Sequence, residues 1–161
     1  MNNLGGFTEL KRINVNEIDL VADLFNKYRM FYKQPSDIEK GCAFLNERLL
    51  NNESIVVVAV EFINGRTISK GFTQLYPKYS SARMVKNWIL NDLYVDDLYR
   101  KQGIGKMLID YAMHLAKNSG SEFLQLETAF DNYTAQALYE SVGFIKQSPT
   151  KDFLLYKIAV N

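Results

Sequence analysis

Near the middle of the chain, Arg100-Lys101-Gln102-Gly103-Ile104-Gly105-Lys106 sets three cations around two closely spaced glycines. The residues before them, Leu90 to Val95, are mostly apolar and aromatic and read as a strand covered on both faces. Asp96 and Asp97 break that run. After the glycines, Met107, Leu108, Ile109, Ala112, Leu115 and Ala116 recur at helical spacing. The glycines therefore sit where a helix begins. The first amides of a helix have no intrahelical partner, and the helix dipole makes that end electropositive. Without Cβ atoms at 103 and 105, an anion can come close to the backbone. The chemistry this pattern suits is the cradling of a phosphate.

Two well-known cradles do not fit. A Walker loop needs Gly at 100 and Ser or Thr at 107, where the chain has Arg100 and Met107. A dinucleotide fingerprint needs a third glycine at 108, where the chain has Leu108. The pattern Arg-x-x-Gly-x-Gly after a strand instead resembles the acetyl-CoA pyrophosphate loop of the GNAT acetyltransferases. Downstream, the run from Asn132 to Phe144 contains Ala135, Leu138-Tyr139-Glu140 and Gly143-Phe144. It is similar to the family's second signature, Asn-x-x-Ala-x-x-Leu-Tyr-Glu-x-x-Gly-Phe. The resemblance is close from Trp88 to Phe144 and architectural before that.

Acetyl transfer from a thioester to an amine needs a neutral amine, a stabilised oxyanion and a stabilised leaving thiolate. The resemblance supplies a residue for most of these roles. It implies that Tyr139 is the acid that protonates the thiolate, since a phenol with a reference pKa of about 10 is protonated at neutral pH. It implies that Leu93, Tyr94 and Val95 offer backbone groups to the pantetheine arm, with the Val95 amide as oxyanion donor. It implies that residues 100 to 106 and Asn132 contact the cofactor. For the base, the resemblance points to Glu127, near the end of the strand before the tyrosine helix, where some relatives place one. Asp92 is an acid in an otherwise apolar strand, where an unpaired charge is costly, so it is either a substrate contact or a structural hydrogen-bonding group. Some polyamine acetyltransferases carry Leu-Glu-Asp here, and this chain has Leu90-Asn91-Asp92. Tyr28 and Tyr32 end the helix that walls the acceptor site in this family. They are read as acceptor contacts or as core, and Tyr76, Tyr79 and Trp88 share that ambiguity.

The elements that must position these residues follow from periodicity and turn chemistry. A first strand is expected over Phe7 to Ile13 and a helix from about Val15 to Tyr32. A capping box at Ser36 and Glu39 should open a second helix that buries Ile38, Cys42, Leu45 and Leu49. Ser54 to Phe62 is a valine-rich strand, turned at Asn64-Gly65 into a return strand over Arg66 to Tyr76. Pro77 to Ala82 is expected as a loop and Met84 to Val95 as the long central strand. The glycine-entry helix should end at Asn118-Ser119-Gly120. Strands are expected at Phe123 to Thr128, Phe144 to Lys146 and Phe153 to Ala159, with a helix between Asn132 and Gly143. This order matches the GNAT fold, a mixed α/β sheet flanked by helices. The resemblance further implies that the two parallel strands Met84 to Val95 and Phe123 to Thr128 splay apart around the cofactor.

At 161 residues a single domain over 1 to 161 is the default, with room for a substantial core. With 47% hydrophobic and 23% charged residues the composition is that of a soluble globular protein. A net charge of +1 gives no basic field, so nucleic acid is not expected as a partner. No run is long and apolar enough for a membrane span. The one cysteine, Cys42, reads as core. The one histidine, His114, has no nearby ligand type, and no metal site is expected. Met1 to Phe7 has neither region of a signal peptide, so the expected location is cytoplasmic. The assembly state, monomer or homodimer, is left open. The reading is an acetyl-CoA-dependent N-acetyltransferase that acts by direct transfer in a ternary complex. Its acceptor is a primary amine, with a small molecule such as a polyamine or amino acid favoured over a protein lysine or N-terminus. The rivals are a non-catalytic acyl-CoA-binding module and a scaffold with an incidental glycine turn.

Overall fold

The computed structural model describes residues 7–147. They fall into two compact units that divide after Glu127. In the first unit, five strands form one sheet in the order β1-β2-β3-β4-β5. These are β1 (Glu9–Arg12), β2 (Ile55–Ile63), β3 (Arg66–Ser80), β4 (Val85–Val95) and β5 (Leu124–Gln125). The first three pairings are antiparallel and β4 pairs β5 in parallel, so the sheet is mixed. Helices α1 (Ala22–Phe31) and α2 (Ile38–Leu50) precede β2, and α3 (Ile104–Asn118) lies between β4 and β5. In the second unit, α4 (Tyr133–Ser141) is the one helix among the described residues.

The core explains this layering. Ile55 to Val60 are all buried, a continuous apolar run that requires cover on both faces of the sheet. On one face Val56, Val58, Val60 and Phe72 pack with Leu24, Phe25 and Leu45 of α1 and α2. Helix α3 buries Ile104, Leu108, Ile109, Ala112 and Ala116 and contacts β2, β3 and β4. Burial of a residue such as Leu108 contributes roughly 1.5 to 3 kcal/mol. The Asn64-Gly65 turn has positive φ at both residues, 50° and 76°, as a tight hairpin between β2 and β3 demands.

Several expected boundaries differ. The single helix over Val15 to Tyr32 is a 3-10 helix, Val15–Leu20, followed by α1, with non-helical φ and ψ at Glu17. Asn14 and Glu17 form a capping box there, whereas Ser36 and Glu39, where one is expected, do not cap α2. Helix α2 is instead capped by Asp37, whose carboxylate accepts from the Lys40 amide at 2.9 Å. The Ser36 hydroxyl is used by Asn26 Nδ2 at 3.0 Å, and Asn26 Oδ1 accepts from the Asp37 amide at 2.9 Å. That buried asparagine pins the α1–α2 connection. Ile38 is consequently 48% exposed, Cys42 is half-buried, and Leu45 carries the α2 contact.

Pro77 to Ser80, expected in a loop, continue β3 and pair with β4. Past Leu75 that strand has no β2 neighbour, so the missing amide of Pro77 disturbs no ladder on that side. The strand expected over Phe123 to Thr128 is only Leu124–Gln125, because its ladder with β4 stops at Ile89. Phe144 to Lys146 forms no strand among the described residues, and Phe153 to Ala159 lies outside them.

Gly71 joins the two faces of this architecture. It pairs with Val95, and a Cβ added to it would meet the Tyr94 carbonyl oxygen at 2.8 Å and Ile104 Cγ2 at 3.3 Å. The first residue of α3 thus seats on β3 where no side chain stands. Gly71→Ala should cost about 1 to 3 kcal/mol, the usual scale of overpacking, because a backbone carbonyl must move. The urea midpoint of the variant should fall accordingly, and an unchanged midpoint would show that the helix seat tolerates a methyl group.

Candidate active site

Strand β4 carries a one-residue bulge. Gln74 pairs with Asp92 and Leu75 with Leu90, which leaves Asn91 as the extra, exposed residue. A bulge bends the strand and re-aims the side chains that follow it. Past the bulge, Asp96 N donates to Lys70 O on the β3 side at 2.9 Å. Successive amides of a strand point to opposite edges. The N–H groups of Leu93 and Val95 therefore point to the other edge, where β5 pairs only with Trp88 and Ile89. The Val95 carbonyl, on that same edge, accepts from Arg100 Nε at 3.1 Å.

The glycine-rich turn follows directly. Asp96 caps a short 3-10 helix, Asp97–Tyr99, through its bond to the Leu98 amide at 3.0 Å. Lys101 has φ of 61° and Gly103 has φ of 80°, so the chain turns left-handed twice before α3. Gly103 is the N-cap of α3, and no side chain caps this helix. A Cβ added at Gly103 would meet nothing within 4 Å. Gly105 and Lys106 lie in the first turn, and Ile104 is buried against the sheet. The free amides of this turn, the open space and the helix dipole suit an anion. The cations are less free than their count suggests. Arg100 pairs with Asp97 at 2.6 Å and lies 5.7 Å over the Tyr94 ring, and Lys106 pairs with Asp110 at 2.6 Å. Lys101 and Gln102 are exposed.

A second cluster surrounds Asp92, which is 2% exposed. Its carboxylate accepts hydrogen bonds from Gln74 Nε2, from Asn91 Nδ2 at 2.8 Å and from the Tyr28 hydroxyl. Burial pushes the carboxyl above its ordinary value, and those three donors partly oppose the shift. The same burial, together with the Asp92 charge, raises Tyr28 and Tyr32 and brings Tyr76 up to about 12. The phenols therefore stay protonated at neutral pH. Tyr28, Tyr32 and Asp92, each expected as an acceptor contact or a structural group, are assembled here by α1 and β4. Gln74, Asn91 and Tyr76 complete the cluster. The acidic residue in an apolar strand and the tyrosines are legible in the sequence; that Gln74 faces Asp92 depends on the β3–β4 register.

Lys27 ties α1 to the end of β4. It reaches Asp96 Oδ2 at 2.7 Å and Asp23 at 2.9 Å. Glu127 is exposed and lies just beyond β5. The second unit, taken by itself, has Asn132 as the N-cap of α4, with its side chain accepting from the Ala135 amide at 3.2 Å. Tyr139 on that helix makes an edge contact with Phe144 at 6.0 Å. Among the described residues no group of three or more His, Cys, Asp or Glu could hold a metal ion, and no helix is long and apolar enough to cross a membrane.

The Lys27–Asp96 pair sets a pH dependence. Asp96 is held below its ordinary value, chiefly by Lys27 and then by the Leu98 amide. That contribution is complete above the ordinary carboxylate range and is lost as pH falls through the lowered value. Lys27 is held above its ordinary value, chiefly by Asp96 and then by Asp23. Its contribution is complete below the ordinary lysine range and is lost only at strongly alkaline pH. Because Lys27 is 43% exposed and screened, Lys27→Met should cost only about 1 kcal/mol at pH 7. The difference from the parent should shrink in urea titrations below about pH 4, where carboxylates protonate. A gap that is the same at both pH values would assign the effect to packing.

Comparison with known proteins agrees with this geometry. The family model for the acetyltransferase (GNAT) family matches residues 18–144. A protein of Bacillus subtilis (strain 168) described as an uncharacterized N-acetyltransferase, YhfO, is 42% identical over 135 residues, 84% of this chain and 88% of its own. A crystal structure of a probable acetyltransferase superposes with a TM-score of 0.83 at 34% identity, covering 94% of this chain and 99% of that one. An aminoglycoside N-acetyltransferase in complex with CoA shares the fold, with a TM-score of 0.75 at 17% identity over 99% of this chain and 100% of its own. The mixed sheet, the glycine-entry helix and these relatives together establish that the chain belongs to the GNAT acetyltransferase family.

Proposed function

We propose that this protein transfers the acetyl group of acetyl-CoA directly to the primary amine of a small molecule. The observation that carries the reading is the side-chain-uncapped, glycine-opened start of α3, directly after a strand whose Leu93 and Val95 amides turn away from the β3 ladder. The residues fit the co-substrate. The amides of Ile104, Gly105 and Lys106, with Lys101 beside them, would hold a pyrophosphate, and the Gly103 turn leaves room for it. The N–H of Leu93 and of Val95 would hold the pantetheine arm and the thioester oxygen. Bound acetyl-CoA would supply the activated acyl group. Asn132 would add a contact to the co-substrate.

The protein's own task is then to take a proton from the amine and to provide one for the thiolate. Asp92, a buried carboxylate with a raised pKa, supports the first role better than the exposed Glu127 does. Tyr139 in the Leu138-Tyr139-Glu140 signature is the proposed acid. A small-molecule acceptor is supported by the inward position of Asp92, which a side chain on a folded protein reaches less easily than a free amine. That the aminoglycoside enzyme shares this fold is compatible with the same choice.

Two variants test the assignment. Gly105→Val puts a branched side chain at the first turn of α3, and CoA affinity measured by calorimetry should fall about tenfold or more in a folded protein. Unchanged affinity would remove the phosphate assignment. Tyr139→Phe keeps the ring and deletes the hydroxyl. The turnover number and its ratio to the Michaelis constant should fall together by about 10²-fold, the scale of one positioned acid. Near-normal turnover would pass the proton delivery to water or another group.

A further inference from the structure

The rings around Asp92 do not stop at the buried cluster. Tyr28 meets Tyr32 edge-on with centroids 5.1 Å apart, and Tyr32 meets Phe31 edge-on at 5.2 Å. Along this series the side chains emerge from the core. Tyr28 is half-buried, Tyr32 is 46% exposed and Phe31 is 55% exposed. Met30 and Ile38, at the two ends of the α1–α2 connection, are also about half exposed. Tyr32 and Phe31 thus carry the ring series from the buried cluster out to solvent. Asn26 bonds Ser36 and the Asp37 amide, so the rings stand at the end of α1 beside a pinned connection to α2.

At the inner end of the series stands one negative charge. The groups that face Asp92 are Gln74, Asn91 and the phenols of Tyr28, Tyr32 and Tyr76, all neutral at neutral pH. The next charge along is Arg48, which faces Tyr76 and is itself paired with Glu47 and Glu53. One carboxylate in a dry setting complements one ammonium, whose attraction is strengthened by the low local dielectric and by the ring faces. A second ammonium on the same ligand would lose water among tyrosines, where no second carboxylate waits for it.

We infer that the acceptor is a primary monoamine on an apolar body, aryl or branched alkyl. Its body lies along Phe31 and Tyr32, and its nitrogen is presented to the Tyr28 hydroxyl and the Asp92 carboxylate. The inference rests on the acetyltransferase reading and names the acceptor of that same site. It sets polyamines and aminoglycosides apart as poor substrates, because their charges exceed what the site can neutralise.

The test is steady-state release of CoA thiol from acetyl-CoA with three probes: phenethylamine, ethylamine and spermidine. Phenethylamine should have a kcat/KM about tenfold or more above both others, the scale on which an apolar pocket discriminates. Phe31→Ala should then raise the KM for phenethylamine about fivefold and leave that for ethylamine within about twofold, since only the longer body reaches that ring. The exposed position of Phe31 makes loss of folding an unsuitable explanation for such a split. Spermidine as the best of the three, or equal KM changes for both monoamines, would overturn the inference and leave the acetyltransferase reading standing. Thiol release that none of the three amines accelerates, from a protein that binds CoA by calorimetry, would overturn the inference, and absence of CoA binding would overturn the reading it rests on.

Discussion

Strand β4 has two hydrogen-bonding edges that are used very differently. The β3 edge is paired along its whole length, from Val85 to Val95, around a single bulge. Among the described residues, the β5 edge is paired at only Trp88 and Ile89. The proposed co-substrate contacts of Leu93 and Val95 depend on that inequality. A backbone amide already engaged in a ladder has nothing left for a ligand, and one facing away from its partner strand has its full hydrogen-bonding capacity. The bulge at Asn91 resets the strand just before Asp92, Leu93 and Val95, so the change of use coincides with the residues proposed to bind.

Holding such a strand end in place needs supports on both faces of the sheet. On the α3 side, Gly71 lets Ile104 sit against the backbone of β3 and β4, which brings the uncapped helix start close to the end of β4. On the α1 side, Lys27 anchors Asp96, and Asp96 in turn caps the 3-10 helix and bonds Lys70. Lys70 is the extra residue at the β2–β3 bulge, and its ammonium pairs with the buried Glu61. Charged pairs in such positions contribute little net stability, but they fix one arrangement against alternatives that would leave a charge unpaired.

The Asp92 cluster follows a different logic. A carboxylate in the core is costly, and its three donors keep it tolerable without neutralising it. The surrounding phenols share the same low-dielectric setting, which holds them protonated. The result is a negative charge of low solvation at the inner end of an aromatic surface. Functional groups tend to have this character, because perturbed ionisation and chemical work share a physical origin.

The sequence by itself determined the parts governed by local rules. Periodicity and turn residues located β2, β3, β4, α3 and α4 closely, with the Asn64-Gly65 hairpin and the Gly120 helix end among the firmest points. The glycine spacing and the signature around Leu138-Tyr139-Glu140 pointed to the family. Only the tertiary structure decided the rest, since each item depends on partners distant in the chain. Asp37 rather than Ser36 caps α2 because Asn26, ten residues before Ser36, claims the serine hydroxyl. The strand at 124–125 is short because its neighbour's ladder ends at Ile89, which no pattern in β5 records. Gly71 looks like any strand glycine until α3 is seated on it. Gln74 becomes a partner of Asp92 only through a register set by a bulge. Local propensity acts through neighbours along the chain, whereas register, burial and electrostatic pairing act through neighbours in space.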